Sequence, residues 1–234
     1  MEMLMALPAV QEGFNILNMF RLYAVVDGVV TFKGFFDNLT MVLLLITFFI
    51  SIVLIAERLY YIWKKSKFNH NKVLADIQAY LENGDIDGAI AYLSRTDHPL
   101  HNTLKAGLEN IHLPLDQIYD MMDSVMTFER FKLLRFTTAM GSIIAIAPLL
   151  GLFGTVDGLI DAFNQIAVTG SGGAEVVGKG ISTALVTTWW GLIIAMMNIP
   201  VYNYVTNTAE RILATTDVAA RRLLIMISQL QHAE

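Results

Sequence analysis

The sequence predicts an all-α integral membrane protein with three transmembrane helices, and three observations lead there. The chain is 55% hydrophobic and 16% charged, where a soluble domain carries about 25% charged residues. Residues 39–56, LTMVLLLITFFISIVLIA, contain no charge at all. Two further bilayer-length apolar segments, around residues 136–167 and 180–206, are separated only by a short glycine- and serine-containing link.

The first span is expected over residues 35–61. At about 1.5 Å per residue its uncharged run approaches the roughly 30 Å hydrocarbon core, and Phe35 and Phe36 extend it. Residues 168–179, with VTGSGGAEV at their heart, read as a tight turn, so the second and third spans form an antiparallel hairpin. Lys and Arg set the orientation. Arg58, Lys64, Lys65 and Lys67 follow the first span, Arg130, Lys132 and Arg135 precede the second, and Arg211, Arg221 and Arg222 follow the third. The opposite side carries Arg21, Lys33 and Lys179. The N-terminus is therefore expected outside, with residues 62–135 and 207–234 in the cytoplasm. Tyr60, Tyr61 and Trp63 suit an interfacial belt at the inner face.

Residues 1–34 are interrupted by Arg21, Asp27 and Lys33, while Phe14, Leu17, Phe20 and Val25 recur at near-helical spacing. An amphipathic helix on the outer face is expected. The N-terminus lacks a basic stretch before an apolar core, so a cleaved signal peptide is not expected. Asn38-Leu39-Thr40 matches a glycosylation acceptor but abuts the membrane.

The 62–135 region reads as helical throughout. Lys72 to Glu82 place Val73, Leu74, Ile77 and Leu81 on one side, Asn83-Gly84 ends that helix, and Asp85 caps the next, residues 86–93. Pro99 and Pro114 mark further starts or breaks. Residues 115–135 repeat apolar side chains at Ile118, Met121, Met122, Val125, Phe128, Phe131 and Leu134, and this helix is expected to run straight into the second span. The tail over 209–231 is expected to extend the third span, so that long helices leave the membrane together as a cytoplasmic bundle.

Composition excludes several functions. There is no cysteine, hence no disulfide or thiolate metal site. The net charge is −5 and no basic stripe suggests nucleic acid. GAEVVGK (173–179) satisfies GxxxxGK, but Gly180 stands where a P-loop needs Ser or Thr, and no strand precedes it. His98 and His101, in HPLH beside Asp97, read as a solvated loop rather than a metal site. No nucleophile–base arrangement indicates an enzyme, and no cofactor is expected.

The polar and small residues inside the spans need an explanation. Gly154 and Gly158 give a small-xxx-small pattern, joined by Gly151 and by Pro148, which removes a backbone hydrogen bond and marks a kink or flexible point. Thr155, Thr183, Thr187 and Thr188 supply hydroxyls that either order water along a pore or bond back to their own helices. Thr183 and Thr187 share a helix face, and Thr188 lies about 100° further round. Asp157, Asp161 and Asn164 form a polar stripe roughly opposite Thr155. A mid-bilayer carboxylate costs about 2.5–3.5 kcal/mol. The stripe reads as an outer vestibule or subunit contact, with a proton or cation site as the sharper alternative.

At these residues the chain resembles the MotA/TolQ/ExbB proton-channel family, on its ExbB/TolQ branch. GLFGTV (151–156), GISTALVTTWWGL (180–192) and IPVYNY (199–204) carry the resemblance, with NGDIDGAIAYL in the inner region. It covers roughly residues 35–225. It implies a bacterial inner-membrane homopentamer around a pore that admits the single helices of an ExbD- or TolR-like partner. An aspartate on the partner helix takes up and releases H+, facing hydroxyls that match Thr155 and Thr188. A TonB- or TolA-like transducer is implied downstream. Many relatives carry glutamate where this chain has Thr183, and an aromatic or apolar residue where it has Asp157. Tandem Thr187-Thr188 also resembles sodium-driven flagellar stators, so Na+ is kept beside H+. A non-conducting scaffold, in which the small residues only pack helices, is the other class. A substrate transporter would need internal repeats or broken helices, which three spans do not offer.

Overall fold

The computed structural model describes residues 32–67, 69–169 and 174–231, and every described element is an α-helix. They are α1 (Phe32–Ser66), α2 (His70–Glu82), α3 (Ile86–Leu93), α4 (Pro99–Glu109), α5 (Leu115–Leu133), α6 (Thr137–Thr169) and α7 (Ala174–Gln231). The amphipathic helix expected in residues 1–34 falls almost entirely outside the described residues, α1 beginning at Phe32. Three of the helices are long and apolar enough to cross a membrane. Along the first of these spans large apolar side chains such as Phe49 and Val53 are exposed, as a lipid-facing surface requires. The chain divides into two units.

The first unit holds residues up to Ser51 and Ile143–Met197. α6 and α7 pack here along small residues. A Cβ added at Gly151 would lie 2.9 Å from the Thr187 carbonyl oxygen and from the Thr188 Cα. At Gly154 it would lie 2.5 to 2.9 Å from the Thr187 side chain, and at Gly158 it would lie 3.2 Å from the Ala184 Cβ. Gly180 meets Ala162, and Gly191 meets the Ala147 carbonyl. Read along the helices, Ala147, Gly151, Gly154, Gly158 and Ala162 run antiparallel to Gly191, Thr187, Ala184 and Gly180. Lipid tails are as apolar as leucine, so close backbone approach and interhelical hydrogen bonds must supply what the hydrophobic effect supplies in water. Pro148 lies inside α6 without ending it. On one side of the pair, α1 contributes Leu44 to a buried cluster with Ala147 and Ile194, and Met41, Phe48, Ile143, Leu150 and Trp190 pack around it. The Phe48 and Trp190 rings meet edge to face at 5.8 Å.

The second unit holds Ile52–Ser142 and Asn198–Glu234. Its core joins Val73, Leu74, Ile77 and Leu81 of α2, Leu100, Leu104 and Leu108 of α4, Ile118 and Met122 of α5, and Ala219, Ala220, Leu223 and Ile227 of α7. The local signals operate as read. Asn69 accepts from the Lys72 amide, Gly84 turns at φ +72°, and Asp85 accepts from the Gly88 amide at 2.8 Å.

Three expectations are corrected. α5 does not run into the second span. It ends at Leu133, and α6 starts afresh at Thr137 after Phe136 adopts φ +65°. The buried Arg58 guanidinium donates to the Lys132 and Leu133 carbonyls at 3.4 Å each, capping α5, and Thr137 Oγ1 donates to the Leu134 carbonyl at 2.7 Å. Those carbonyls are satisfied without continuing the helix. The turn expected over 168–179 is shorter, because α6 reaches Thr169 and α7 begins at Ala174; residues 170–173 lie outside the described residues. HPLH is not a solvated loop. His98 and His101 are 2% and 3% exposed, because His98 caps α4 and Pro99 opens it.

His98 is held neutral. Its Nδ1 accepts from the Leu100 amide at 3.2 Å, and its Nε2 lies 2.9 Å from the Lys65 carbonyl. Burial is the main cause that pushes its pKa down to about 4, and burial lowers His101 and His70 as well. A histidine with a depressed folded pKa contributes stability that is complete above its unfolded value near 6.5 and is lost as pH falls from there towards 4. Thermal melting of the protein in detergent should therefore weaken between pH 7.5 and pH 5, with His98 contributing a total on the order of 3 kcal/mol across its window. His98→Asn should flatten that dependence, and an unchanged slope would show that His98 does not control it. For the seam, Gly151→Ala, which meets backbone, should cost about 1–3 kcal/mol. Gly158→Ala, whose Cβ would stand 3.2 Å from the Ala184 methyl and 3.3 Å from the Gly180 carbonyl oxygen rather than 2.9 Å from backbone, should cost visibly less. Melting temperatures of the two variants in nanodiscs decide it.

Candidate functional site

Thr155 sits on α6 one residue beyond Gly154, and Thr188 on α7 one residue beyond Thr187; both are half-buried. Thr188 Oγ1 donates across the helices to the Gly151 carbonyl at 3.1 Å. In an α-helix that same carbonyl accepts the amide of Thr155, four residues on. The Gly151 carbonyl is thus the point at which the two threonines meet. Thr155 Oγ1 turns its own proton to the Leu152 carbonyl at 2.6 Å. Both hydroxyl protons are spent on backbone, and each oxygen keeps lone pairs for an incoming donor.

Helical phase places the pair. At about 100° per residue, Thr155 lies on one flank of the α6 seam, and Ile143 and Leu150, which meet the α1 cluster, lie on the other. Thr188 and Trp190 divide the α7 seam in the same way. Thr155 and Thr188 therefore occupy the flank turned away from α1. Their same-face neighbours are exposed and apolar: Leu152 and Leu159 on α6, Ile181, Leu185 and Leu192 on α7. The surface is an apolar wall bearing two hydroxyls.

Thr187 lies elsewhere. It is 4% exposed, packed onto Gly154, and its Oγ1 donates to the Ala184 carbonyl at 2.7 Å and the Gly151 carbonyl at 3.2 Å. The side chain of Thr183 lies outside the described residues. Asp157 and Asp161 are half-buried and Asn164 is exposed, on the opposite flank of α6 from Thr155. The structure therefore brings Thr155, Thr187 and Thr188 together around Gly151 and leaves the carboxylate stripe apart from them. Sequence reasoning missed Ala147, Ala162, Gly180, Ala184 and Gly191, which complete the seam. Their signal was small residues at three- and four-residue spacing on both helices.

A second polar cluster sits in the other unit. Glu129, 2% exposed, accepts from Asn102 Nδ2 at 3.0 Å and from Lys132 Nζ at 2.6 Å through one oxygen. Asp97 accepts from Asn102 at 3.0 Å and pairs with the buried Lys65 at 3.1 Å. The Asn102 hydrogen bond is the main cause holding the Asp97 carboxyl below its usual range, and the Glu129 hydrogen bond raises Lys132. These contacts fasten α1, α4 and α5 to one another. Among the described residues no cluster of three or more His, Asp or Glu has the arrangement of a metal site.

Residues 95–217, which contain α6 and the glycine–threonine seam, match the MotA/TolQ/ExbB proton channel family. A putative biopolymer transport protein ExbB homolog from Methanothermobacter thermautotrophicus is 25% identical over 87% of this chain and 67% of its own length. A putative biopolymer transport protein ExbB-like 3 from Synechocystis is 32% identical over 63% of this chain and 70% of its own. The biopolymer transport protein ExbB of Salmonella typhimurium is 42% identical over 35% of this chain and 34% of its own length. With the family's region spanning the seam and three helices fit to cross a bilayer, the chain is a membrane protein that belongs to the MotA/TolQ/ExbB proton channel family, on its ExbB/TolQ branch.

Proposed function

We propose that this chain is the pore-forming subunit of an inner-membrane motor that converts proton flow into mechanical work across the cell envelope. The observation that carries this reading is the bond of the Thr188 hydroxyl to the Gly151 carbonyl, one helical turn from Thr155, on an apolar flank that α1 leaves uncovered. That flank suits a partner helix with one carboxylic acid. Because both hydroxyl protons point to backbone, the oxygens accept from a neutral acid as they stand. When the acid ionises, a hydroxyl must rotate towards it and release its carbonyl. Neither state places a fixed charge of this chain in the hydrocarbon.

The assembly in this reading is a homopentamer around an ExbD- or TolR-like single-span protein with an intramembrane aspartate, coupled to a TonB- or TolA-like transducer. H+ is the transported ion. The tandem Thr187-Thr188 is the feature that favours Na+ as the second reading. The N-terminus lies outside, residues 62–135 and 207–234 lie in the cytoplasm, and Asp157, Asp161 and Asn164 line an outer vestibule or subunit contact. A non-conducting scaffold would use the seam and leave the hydroxyl pair idle.

Two experiments test this. Proteoliposomes holding the protein and its aspartate-bearing partner should pass H+ down a gradient, and Thr188→Ala should reduce the flux at least ten-fold while assembly persists. Flux that requires Na+ moves the reading to a sodium stator, and undiminished flux in the variant removes Thr188 from the pathway. The chain has no cysteine, so single cysteines report sidedness directly. In intact spheroplasts an impermeant maleimide should label Ser171→Cys and spare Lys72→Cys. The reverse pattern overturns the orientation.

A further inference from the structure

The ion-pathway reading treats tandem threonines as two oxygens of one kind, but their surroundings differ. The Thr187 side chain stands where the missing Cβ of Gly154 leaves room, 2.5 to 2.9 Å from where that atom would be. Being β-branched, it has little rotameric freedom on a helix, and the seam removes the rest. Its hydroxyl has one proton, shared between the Ala184 carbonyl of its own helix and the Gly151 carbonyl of α6. At 4% exposure it offers no oxygen to a passing ion. The neighbouring Thr188 is half-buried and reaches the same Gly151 carbonyl from the open flank.

We propose that Thr187 is a positioning residue: its hydroxyl clamps α7 to α6 at the Gly151 carbonyl and so holds Thr188 in register beside Thr155. This rests on the ion-pathway reading of Thr188, and it assigns the tandem pair one oxygen for the pathway rather than two. A slip of α7 by one residue would rotate Thr188 by about 100°, away from Thr155. Gly154 and Thr187 therefore act as one device, the glycine making the socket and the threonine filling and bonding it. The pair does not by itself provide the several oxygens that a dehydrated Na+ needs, so the selectivity for H+ or Na+ does not depend on Thr187.

The test is a double-mutant cycle on the full-length chain with two readouts. Thr187→Val keeps the shape and removes the hydroxyl, Thr187→Ser keeps the hydroxyl, and Thr188→Val removes the other one. Melting in nanodiscs needs neither a partner nor a gradient. Here Thr187→Val should melt several degrees lower than the wild type, and an unchanged melting temperature overturns the clamp. Ion flux in proteoliposomes with the partner gives the second readout. Thr187→Val should lower flux about three-fold or more, Thr187→Ser should recover most of it, and the double variant should conduct no less than Thr188→Val alone. Independent, multiplying losses, or a changed preference between H+ and Na+ in Thr187→Val, would make Thr187 an ion ligand and overturn the proposal. If the wild type passes no ion in either gradient, the pathway reading fails, while the melting comparison still decides whether Thr187 clamps the seam.

Discussion

Everything in the membrane unit depends on how closely α6 and α7 approach. Five small residues of α6 face four of α7, and at Gly151 and Gly191 backbone meets backbone with no room for a Cβ. In water such a seam would bury too little apolar area to hold. In lipid it works, because large side chains gain nothing by leaving their hydrocarbon surroundings while close backbones gain dispersion and interhelical hydrogen bonds. The seam also creates its own polar point. Only because residue 151 lacks a side chain can two threonine hydroxyls reach its carbonyl from the opposite helix. The packing device and the candidate ion-pathway device share this atom.

The second unit solves a different problem, that of ending helices without exposing their termini. Arg58 is 1% exposed, lies 4.8 Å from the Tyr61 ring and 5.5 Å from the Phe136 ring, and caps the last carbonyls of α5. It also pairs with Glu57, so the buried charge has a partner. Near the same end of α1, His98 caps α4 through a ring nitrogen that must stay unprotonated to accept, its other nitrogen meeting the Lys65 carbonyl. Both devices place an ionisable side chain where a neutral cap would be cheaper to bury. Both fix a change of chain direction, at residues 134–136 and at 97–99.

The three long helices, the hairpin of α6 and α7, the cap at Asp85 and the helix start at Pro99 were legible in the sequence. Each rests on a strong local signal: bilayer-length apolar runs, glycine after a helix, proline at a first turn. The seam was half legible. Gly151, Gly154 and Gly158 stand out against apolar neighbours, but their partners on α7 include alanine and threonine, which a one-helix pattern does not single out. The break after α5 was not legible, because apolar periodicity continues through residues 134–136 and the capping arginine is far away in sequence. The burial of His98 and His101 was hidden for the same kind of reason. Two histidines flanking Pro99 and Leu100 look solvated until α1 supplies the Lys65 carbonyl. Helical phase separated Thr188 from Thr187 but not which of them entered the seam, since that depends on where Gly154 stands on the facing helix.

The absence of charge at the paired hydroxyls bears on how such a site would do work. A fixed carboxylate at that point would hold a proton or a cation in one deep state, and leaving it would be slow. Two hydroxyls already bonded to backbone carbonyls offer a shallow site instead, stabilising a neutral acid by lone pairs and a charged one by rotation. The free energy would then come from the membrane potential, about 2.3 kcal/mol for each elementary charge per 100 mV. That is comparable with the cost of burying a carboxylate at mid-bilayer, about 2.5–3.5 kcal/mol. A single ion crossing at such a potential would fall just short of that cost. Repeated work therefore requires several pairs arranged in sequence, which a ring of identical subunits supplies and a single chain does not.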